Sequence, residues 1–182
     1  MITLDSIRAQ PFIEKAKIGK FDVYDIGSIL DYFGAWIYKY RKTNSTFDLA
    51  ALLTGYEAGM VDNGKIETSI AGVAYLKGAC SNSNYDGNKY LGVSVSEDIG
   101  AHWDGTWTTA HELAHNLGAP HDGEKDASTC SFSEGHIMSY EGWGTLDKYS
   151  WSSCSMRLMR TFFQSKEAAC LMKYALLDNY KI

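Results

Sequence analysis

The sequence contains no run that approaches the ~20 consecutive apolar residues needed for a membrane-spanning helix. It also lacks an excess of basic residues, because its formal net charge is −5. A protein that binds nucleic acid or an anionic membrane usually needs a basic face. We therefore expect neither nucleic acid nor a membrane among its partners.

Proline is scarce, with two residues in 182, and the chain has no internal repeat, charge block or low-complexity linker. The length fits one domain or two very small ones. Hydrophobic residues make up 45% of the chain and aromatic residues 13%, which is enough for a sizeable core. The first six residues lack the basic start and apolar core of a signal peptide. We expect that any targeting segment was removed or lies outside this chain.

Cysteine is limited to four residues, none of them in a CxxC pair: Cys80, Cys130, Cys154 and Cys170. A thiolate zinc site or a redox motif is therefore not expected. Four cysteines permit three pairings, and their spacing does not choose among them. They fit either four buried thiols in a cytosolic protein or two disulfides in an extracellular one. A sequon at Asn44 is a candidate glycosylation site and suits the extracellular interpretation.

Hydrophobic periodicity predicts a mixture of strands and helices. Helical spacing of apolar residues indicates helices over residues 28–42, 106–117, 155–163 and 166–177. Short apolar runs indicate strands at residues 2–10, 20–26, 47–54, 70–76 and 90–95. Turn-forming residues predict a loop over 60–65. The long segment between the second and third helices has little regular pattern, and such a span inside a domain is usually functional or stapled.

The strongest chemical signal is the run His-Glu-Leu-Ala-His-Asn-Leu-Gly-Ala-Pro-His-Asp at residues 111–122. On a helix, His111 and His115 lie on one face, so both imidazoles can reach one metal at the ~2.0–2.1 Å of a zinc–nitrogen bond. Gly118 suits an abrupt helix end with positive φ, and the turn brings His121 to the third ligand position. Three neutral nitrogen ligands leave one position open, which is the arrangement of a catalytic zinc ion.

Glu112 projects beside this metal rather than onto it. Zinc lowers the pKa of a bound water to roughly 7, and Glu112 can accept the proton of that water and deliver it to the leaving amine. HExxH alone also occurs by accident in unrelated helices, but Gly118 and His121 make the extended pattern specific. We do not expect the remaining histidines, His102 and His136, to be ligands.

HExxHxxGxxH followed by a methionine in a tight turn resembles the metzincin metallopeptidases. Met138, within residues 135–140, looks like the Met-turn methionine that forms an apolar floor beneath the zinc. Asp122 is similar to the structural aspartate of the adamalysin (reprolysin) branch. The resemblance implies an α/β fold, with a mixed, mostly parallel sheet and helices, a small irregular C-terminal subdomain, and the active-site cleft between them. It also implies that residues 1–182 are one catalytic domain, with an upper part to about residue 118 and a lower part from about residue 119.

The resemblance extends over roughly residues 28–172. Residues 72–80 look like the family's upper edge strand, which pairs with an extended substrate. By the same likeness the cysteines form two bridges, Cys80–Cys170 and Cys130–Cys154. Among relatives, the arachnid (scorpion) venom enzymes of the antarease type look nearest.

Three features depart from the family pattern. The family's domain normally opens with a strand and a long helix, which this chain is expected to lack. His136 stands where many venom relatives have a cysteine, so one bridge is absent. Lys173 stands where relatives that bind calcium near the C-terminus have an asparagine, which puts a structural calcium ion in doubt.

Tyr140 has two interpretations. Its spacing after Met138 is similar to that of the astacin tyrosine that can swing onto the metal. The adamalysin pattern, which Asp122 favours, makes Tyr140 part of the cleft wall instead. The S1′ pocket is expected to be shaped by residues near 138–145.

Together these features predict a secreted, monomeric zinc endopeptidase that cleaves extended polypeptides and acts in venom or saliva as a toxin. One alternative is a catalytically weak toxin of the same fold that acts mainly by binding a target protein. Glu112 favours the enzyme, because non-catalytic relatives commonly lose that glutamate. A second alternative is a small-molecule zinc hydrolase, which would need a closed pocket.

Overall fold

The computed structural model describes residues 11–42, 47–82, 88–98, 100, 104–140 and 146–172. The strand expected at residues 2–10, the sequon at Asn44, His102 and Lys173 lie outside these ranges. The described helices are α1 (Pro11–Glu14), α2 (Ile26–Arg41), α3 (Asp104–Asn116), α4 (Ser153–Phe163) and α5 (Ala169–Met172). The described strands are β1 (Tyr24–Asp25), β2 (Ala50–Thr54), β3 (Ala58–Asp62), β4 (Lys65–Glu67), β5 (Gly72–Ala74) and β6 (Val93–Glu97).

The six strands form two small mixed sheets. In the first, β1 pairs in parallel with β3, and β3 pairs antiparallel with β4. In the second, β2 pairs in parallel with β6, and β5 lies antiparallel on the other side of β6. β5 is therefore at an edge of this sheet among the described strands. The combination of mixed sheets and helices confirms the predicted α/β class.

Helix α2 confirms the helix predicted over residues 28–42. It begins after Asp25, whose carboxylate accepts a hydrogen bond from the Ser28 N–H at 2.7 Å and so caps the first turn. One face of α2 and the inner face of β6 belong to the same hydrophobic core, which includes Ile29, Leu30, Phe33, Ile37, Val93 and Val95. No helix within the described ranges has the length and apolar character needed to cross a lipid bilayer.

The loop predicted over residues 60–65 is wrong, because most of these residues belong to a β-hairpin. β3 and β4 pair antiparallel as far as Asp62 and Lys65, so only Asn63 and Gly64 connect them. Both connecting residues have positive φ, at 49° and 77°, as a two-residue hairpin turn requires. An Asn-Gly pair is itself a hairpin signal, and it outweighed the polar character of the segment.

The chain beyond α3 contains no strand in its described part, in agreement with its weak sequence pattern. Between α3 and α4 the described residues form short 3₁₀ turns, at Lys125–Ala127, Phe132–Glu134 and Leu146–Tyr149, and a fourth turn at Lys166–Ala168 precedes α5. A disulfide between Cys130 and Cys154 joins this segment to α4, and another joins Cys80 to Cys170 in α5. These are the two bridges that the family resemblance implies.

Removing the disulfides one at a time should destabilise the protein by different amounts. Cys80 and Cys170 are 90 residues apart, whereas Cys130 and Cys154 are 24 apart. A longer closed loop removes more entropy from the unfolded chain, so we expect Cys80→Ala with Cys170→Ala to lower the free energy of unfolding by about 4–5 kcal/mol. The corresponding loss for Cys130→Ala with Cys154→Ala should be about 3 kcal/mol. Urea denaturation measures both, and a larger loss for the shorter loop would contradict this account.

Candidate active site

Helix α3 carries the first two histidines of the motif and is fixed to the second sheet at its C-terminal end. The buried Asn116 amide donates hydrogen bonds to the carbonyl oxygens of Tyr75 at 2.9 Å and Val93 at 3.2 Å. The carbonyl of His115 accepts a hydrogen bond from the Lys77 N–H at 2.8 Å. The Ala79 N–H donates to the carbonyl of Asn116 at 3.1 Å, one of the carbonyls that a helix end leaves without a partner inside the helix. The helix is thereby held against the edge strand β5.

Gly118 ends the helix in the left-handed conformation, with a φ of 96°. The Ala119 N–H donates to the carbonyl of Ala114 at 3.0 Å, which closes the terminal turn. A Cβ atom at position 118 would lie 3.0 Å from the Cβ of Phe162, so packing and backbone conformation both favour glycine. The chain then reverses and brings His121 beside the helical histidines, as the spacing predicted.

His111, His115 and His121 form one cluster, in which the candidate ligand atoms all lie within 4.8 Å of one another. Nε2 of His121 is 3.0 Å from Nε2 of His111 and 3.2 Å from Nε2 of His115. Nitrogen ligands at ~2.0–2.1 Å from a tetrahedral zinc ion are about 3.3 Å apart. The cluster therefore has the dimensions of a three-histidine zinc site.

Hydrogen bonds to Nδ1 determine which ring nitrogen of each helical histidine is free to bind a metal. Nδ1 of His111 lies 2.6 Å from the carbonyl oxygen of Ile137, and Nδ1 of His115 lies 2.7 Å from that of Ala119. A carbonyl oxygen only accepts hydrogen bonds, so each Nδ1 carries the proton and each Nε2 keeps its lone pair. Lone pairs that face one another repel, and a cation between them satisfies them together. The donor set thus fits zinc.

Burial also favours the neutral form of these rings. It lowers the pKa of His111 to about 3 and the pKa of His115 to about 4, because a charged imidazolium loses hydration. The pKa of His121 is lowered as well, mainly by burial. Neutral imidazole is the form that binds metal, so no ring has to lose a proton first at neutral pH.

Glu112 is buried, with 5% of its surface exposed, and lies outside the three-histidine cluster. Burial raises the pKa of its carboxyl to about 8, and a cation held by the neighbouring histidines would favour its ionised form. Gly72, the first residue of β5, lies directly against it. A Cβ atom at position 72 would be 2.5 Å from Oε1 of Glu112 and 2.7 Å from Cγ2 of Thr108. The edge strand therefore approaches the carboxylate as closely as glycine allows.

Met138 has none of its surface exposed and belongs to a small hydrophobic cluster that includes Ala114 and Ala119. Its carbonyl accepts a hydrogen bond from the Asp122 N–H at 2.9 Å. This backbone bond ties the segment that carries His121 to the segment that carries Met138.

Asp122 is fully buried and holds three segments together. Its Oδ1 accepts hydrogen bonds from the hydroxyls of Ser152 at 2.6 Å and Ser155 at 3.3 Å, at the N-terminus of α4. Its Oδ2 accepts one from the hydroxyl of Ser139 at 3.4 Å. A helix N-terminus also favours a nearby negative charge. This geometry agrees with the structural role that the resemblance implies for Asp122.

Tyr140 lies against the outer edge of His121. Its hydroxyl oxygen is 2.5 Å from Nδ1 of His121 and 3.1 Å from Oε1 of Glu124. Burial and the neighbouring Glu124 raise the pKa of Tyr140, which keeps the hydroxyl protonated. His136 lies apart from the cluster, near Glu134, with 3.5 Å between Nε2 and Oε2.

Residues 16–174 match the Reprolysin (M12B) family zinc metalloprotease domain. The chain belongs to this family. The matched domain is of the zinc metalloprotease type, and the histidine cluster is a place in the described structure where a zinc ion fits.

Three relatives share the name A disintegrin and metalloproteinase with thrombospondin motifs. The chain is 36% identical over 131 residues to A disintegrin and metalloproteinase with thrombospondin motifs 18 of Mus musculus, and this match covers 72% of the chain and 10% of the relative. It is 38% identical over 130 residues to A disintegrin and metalloproteinase with thrombospondin motifs 16 of Mus musculus, covering 71% and 10%. A Bombyx mori protein, A disintegrin and metalloproteinase with thrombospondin motifs like, is 30% identical over 173 residues, covering 90% and 24%. The reprolysin chain thus spans about a tenth to a quarter of the length of these relatives.

The structure brings the predicted site residues into one region, namely His111, Glu112, His115, Gly118, His121, Asp122 and Met138. Sequence reasoning missed the functional contacts of Gly72 and Glu124. A glycine in a strand often marks a close approach of the backbone, so Gly72 carried a usable signal. Glu124 carried none, because its contact with Tyr140 spans 16 positions.

Replacing Asp122 should destabilise the fold. Asp122→Ala leaves three buried hydroxyls without their acceptor, so we expect the free energy of unfolding to fall by about 3 kcal/mol. For a domain of this size the melting temperature should drop by roughly 6–12 °C, measured by thermal unfolding at fixed zinc concentration. Asp126→Ala is the matched control, because Asp126 is an exposed acid in the same segment. Equal shifts for the two variants would show that Asp122 does not hold these segments together.

Proposed function

We propose that this reprolysin is an extracellular endopeptidase that cleaves extended polypeptides, with zinc held by His111, His115 and His121 and with Glu112 as the general base. The observation that carries the proposal is the convergence of three Nε2 atoms beside a buried carboxylate. A catalytic zinc site has three protein ligands and one open position. Because Glu112 lies outside the cluster, it leaves that position free for the reacting groups.

The side chains divide the chemistry between them. A bound zinc ion would polarise the scissile carbonyl and make the attacking water more acidic. The histidines keep their Nε2 lone pairs directed toward one point through the hydrogen bonds of Nδ1. Glu112 accepts the proton of the attacking water and returns it to the leaving amine.

The edge of β5 supports a polypeptide as the substrate. Among the described strands, β5 pairs only with β6, so its outer backbone groups can pair with an additional extended strand. Since Gly72 of β5 lies against Glu112, a paired peptide passes close to the carboxylate. One pocket of about 120 Å³ beside His115 and His121 is lined in part by Ala74, the last residue of β5. The edge strand therefore favours a polypeptide over the small-molecule substrate of the alternative.

The two disulfides support the extracellular location, because such bonds persist mainly in oxidising compartments. Action as a venom or saliva toxin, the particular likeness to arachnid venom enzymes, the monomeric state and glycosylation at Asn44 remain predictions from the sequence. So do the division near residue 118 and the doubt about calcium.

Glu112→Gln should abolish peptide cleavage while the protein still binds about one zinc ion per chain. The amide keeps the shape of the side chain but cannot accept the proton of water at neutral pH. Cleavage is measured on a diverse peptide library read by mass spectrometry, with and without a zinc chelator, and zinc is measured by elemental analysis. Undiminished cleavage by the variant would remove Glu112 from the mechanism. A wild-type protein that binds zinc but cleaves no peptide would favour the binding-toxin alternative.

Gly72→Ala should lower kcat by about tenfold to a hundredfold at unchanged zinc affinity. The new methyl group displaces the carboxylate of Glu112, and a misplacement of about 1 Å can cost about a hundredfold in rate. Gly55→Ala is the control, because both glycines have ordinary φ and a Cβ atom at position 55 lies no closer than 3.7 Å to its neighbours. Steady-state kinetics on one cleaved peptide and a chelator competition assay give the two readouts. If Gly72→Ala retains the wild-type kcat, the close contact does not position Glu112.

A further inference from the structure

The third histidine is held differently from the other two. Nδ1 of His111 and Nδ1 of His115 meet backbone carbonyls, whereas Nδ1 of His121 meets side chains. The hydroxyl of Tyr140 lies 2.5 Å from it, and Oε2 of Glu124 lies 3.6 Å away, beyond hydrogen-bond distance. The direct partner of His121 is therefore Tyr140.

The hydrogen bonds that join His121, Tyr140 and Glu124 run in one consistent direction, from His121 to Tyr140 and from Tyr140 to Glu124. The Tyr140 hydroxyl donates a hydrogen bond to Oε1 of Glu124 across 3.1 Å, so its proton is not directed at His121. The hydroxyl oxygen then accepts from Nδ1–H of His121. With the proton on Nδ1, the Nε2 lone pair of His121 faces the other two histidines, which is the tautomer that a metal ligand requires.

The backbone holds the three side chains in this order. The Asp122 N–H bonds to the carbonyl of Met138, and so connects the segment of His121 to that of Tyr140. The Glu124 N–H donates to the carbonyl of His121 at 3.2 Å, which places Glu124 on the same turn. The rings of His121 and Tyr140 lie with their centroids 4.2 Å apart.

We propose that Tyr140 and Glu124 act as one unit of positioning residues, which fixes the tautomer and the orientation of His121 and thereby strengthens zinc binding. The inference rests on the proposed role of His121 as a zinc ligand. It differs from both interpretations of the sequence, which made Tyr140 a part of the cleft wall or a group that swings onto the metal. The hydroxyl lies at Nδ1, on the ring edge opposite the converging Nε2 atoms, so in this arrangement it supports a ligand and is not one.

A double-mutant cycle tests the proposal. The variants are Tyr140→Phe, Glu124→Ala and their combination. Tyr32→Phe, at an exposed position on α2, and Glu134→Ala, which removes an exposed carboxylate near His136, are the matched controls. The first readout is the zinc dissociation constant from competition with a chromophoric chelator. The second is the visible absorption spectrum of the cobalt(II)-substituted protein, which reports the geometry of the ligands.

We expect each single variant to bind zinc about tenfold to a hundredfold more weakly, since outer partners of metal-binding histidines have effects of this size. The double variant should be little weaker than Tyr140→Phe, because both substitutions break the same chain of hydrogen bonds. The cobalt spectra of both single variants should change in the same way, and both controls should match the wild type.

Three results would overturn the proposal. They are wild-type zinc affinity in Tyr140→Phe, no effect of Glu124→Ala, and fully additive losses in the double variant. A fall in kcat for Tyr140→Phe at unchanged zinc affinity would likewise overturn it, and would assign the hydroxyl a contact with substrate. These outcomes are separate from failure of the proposed function, which would appear as a wild-type protein without bound zinc or as full activity in Glu112→Gln.

Discussion

Three imidazole nitrogens whose lone pairs face one another repel unless a cation lies between them, and this site depends on enforcing that unfavourable arrangement. The protein achieves it from the outside, by a hydrogen bond at the far edge of each ring. The acceptors are the carbonyls of Ile137 and Ala119 and the hydroxyl of Tyr140. They come from the reversal after α3 and from the Met-turn segment, so the helix, the reversal and the turn must all be in place before the nitrogens converge.

The described residues between α3 and α4 have little regular structure and include no strand. Buried side chains and a covalent link hold these residues in place. Asp122 accepts hydrogen bonds from the hydroxyls of Ser152 and Ser139. The disulfide between Cys130 and Cys154 joins the residues between α3 and α4 to α4 itself. The irregular path lets carbonyl groups point toward the histidines, which the backbone of a continuous helix or strand could not do because its carbonyls are already paired.

Sequence reasoning succeeded where the physical cause is local. Helix α2 and the histidine-bearing α3 follow from the spacing of apolar residues, and the helix end at Gly118 follows from the freedom of glycine to adopt positive φ. It failed at residues 60–65, where polar composition was given more weight than the Asn-Gly turn signal. It also could not divide the strands into two sheets, because a pairing such as β2 with β6 joins segments about 40 residues apart.

The sequence by itself identified the proposed ligands and the proposed general base, because the helical period and one glycine turn place His111, His115 and His121 close together. Only the tertiary structure decided which nitrogen of each ring is free, since Nδ1 of His111 meets Ile137 across 26 positions and His121 meets Tyr140 across 19. It also decided how near the edge strand lies to Glu112. Contacts between residues so far apart in sequence depend on how separate segments pack, and the spacing of residues along the chain does not predict that packing.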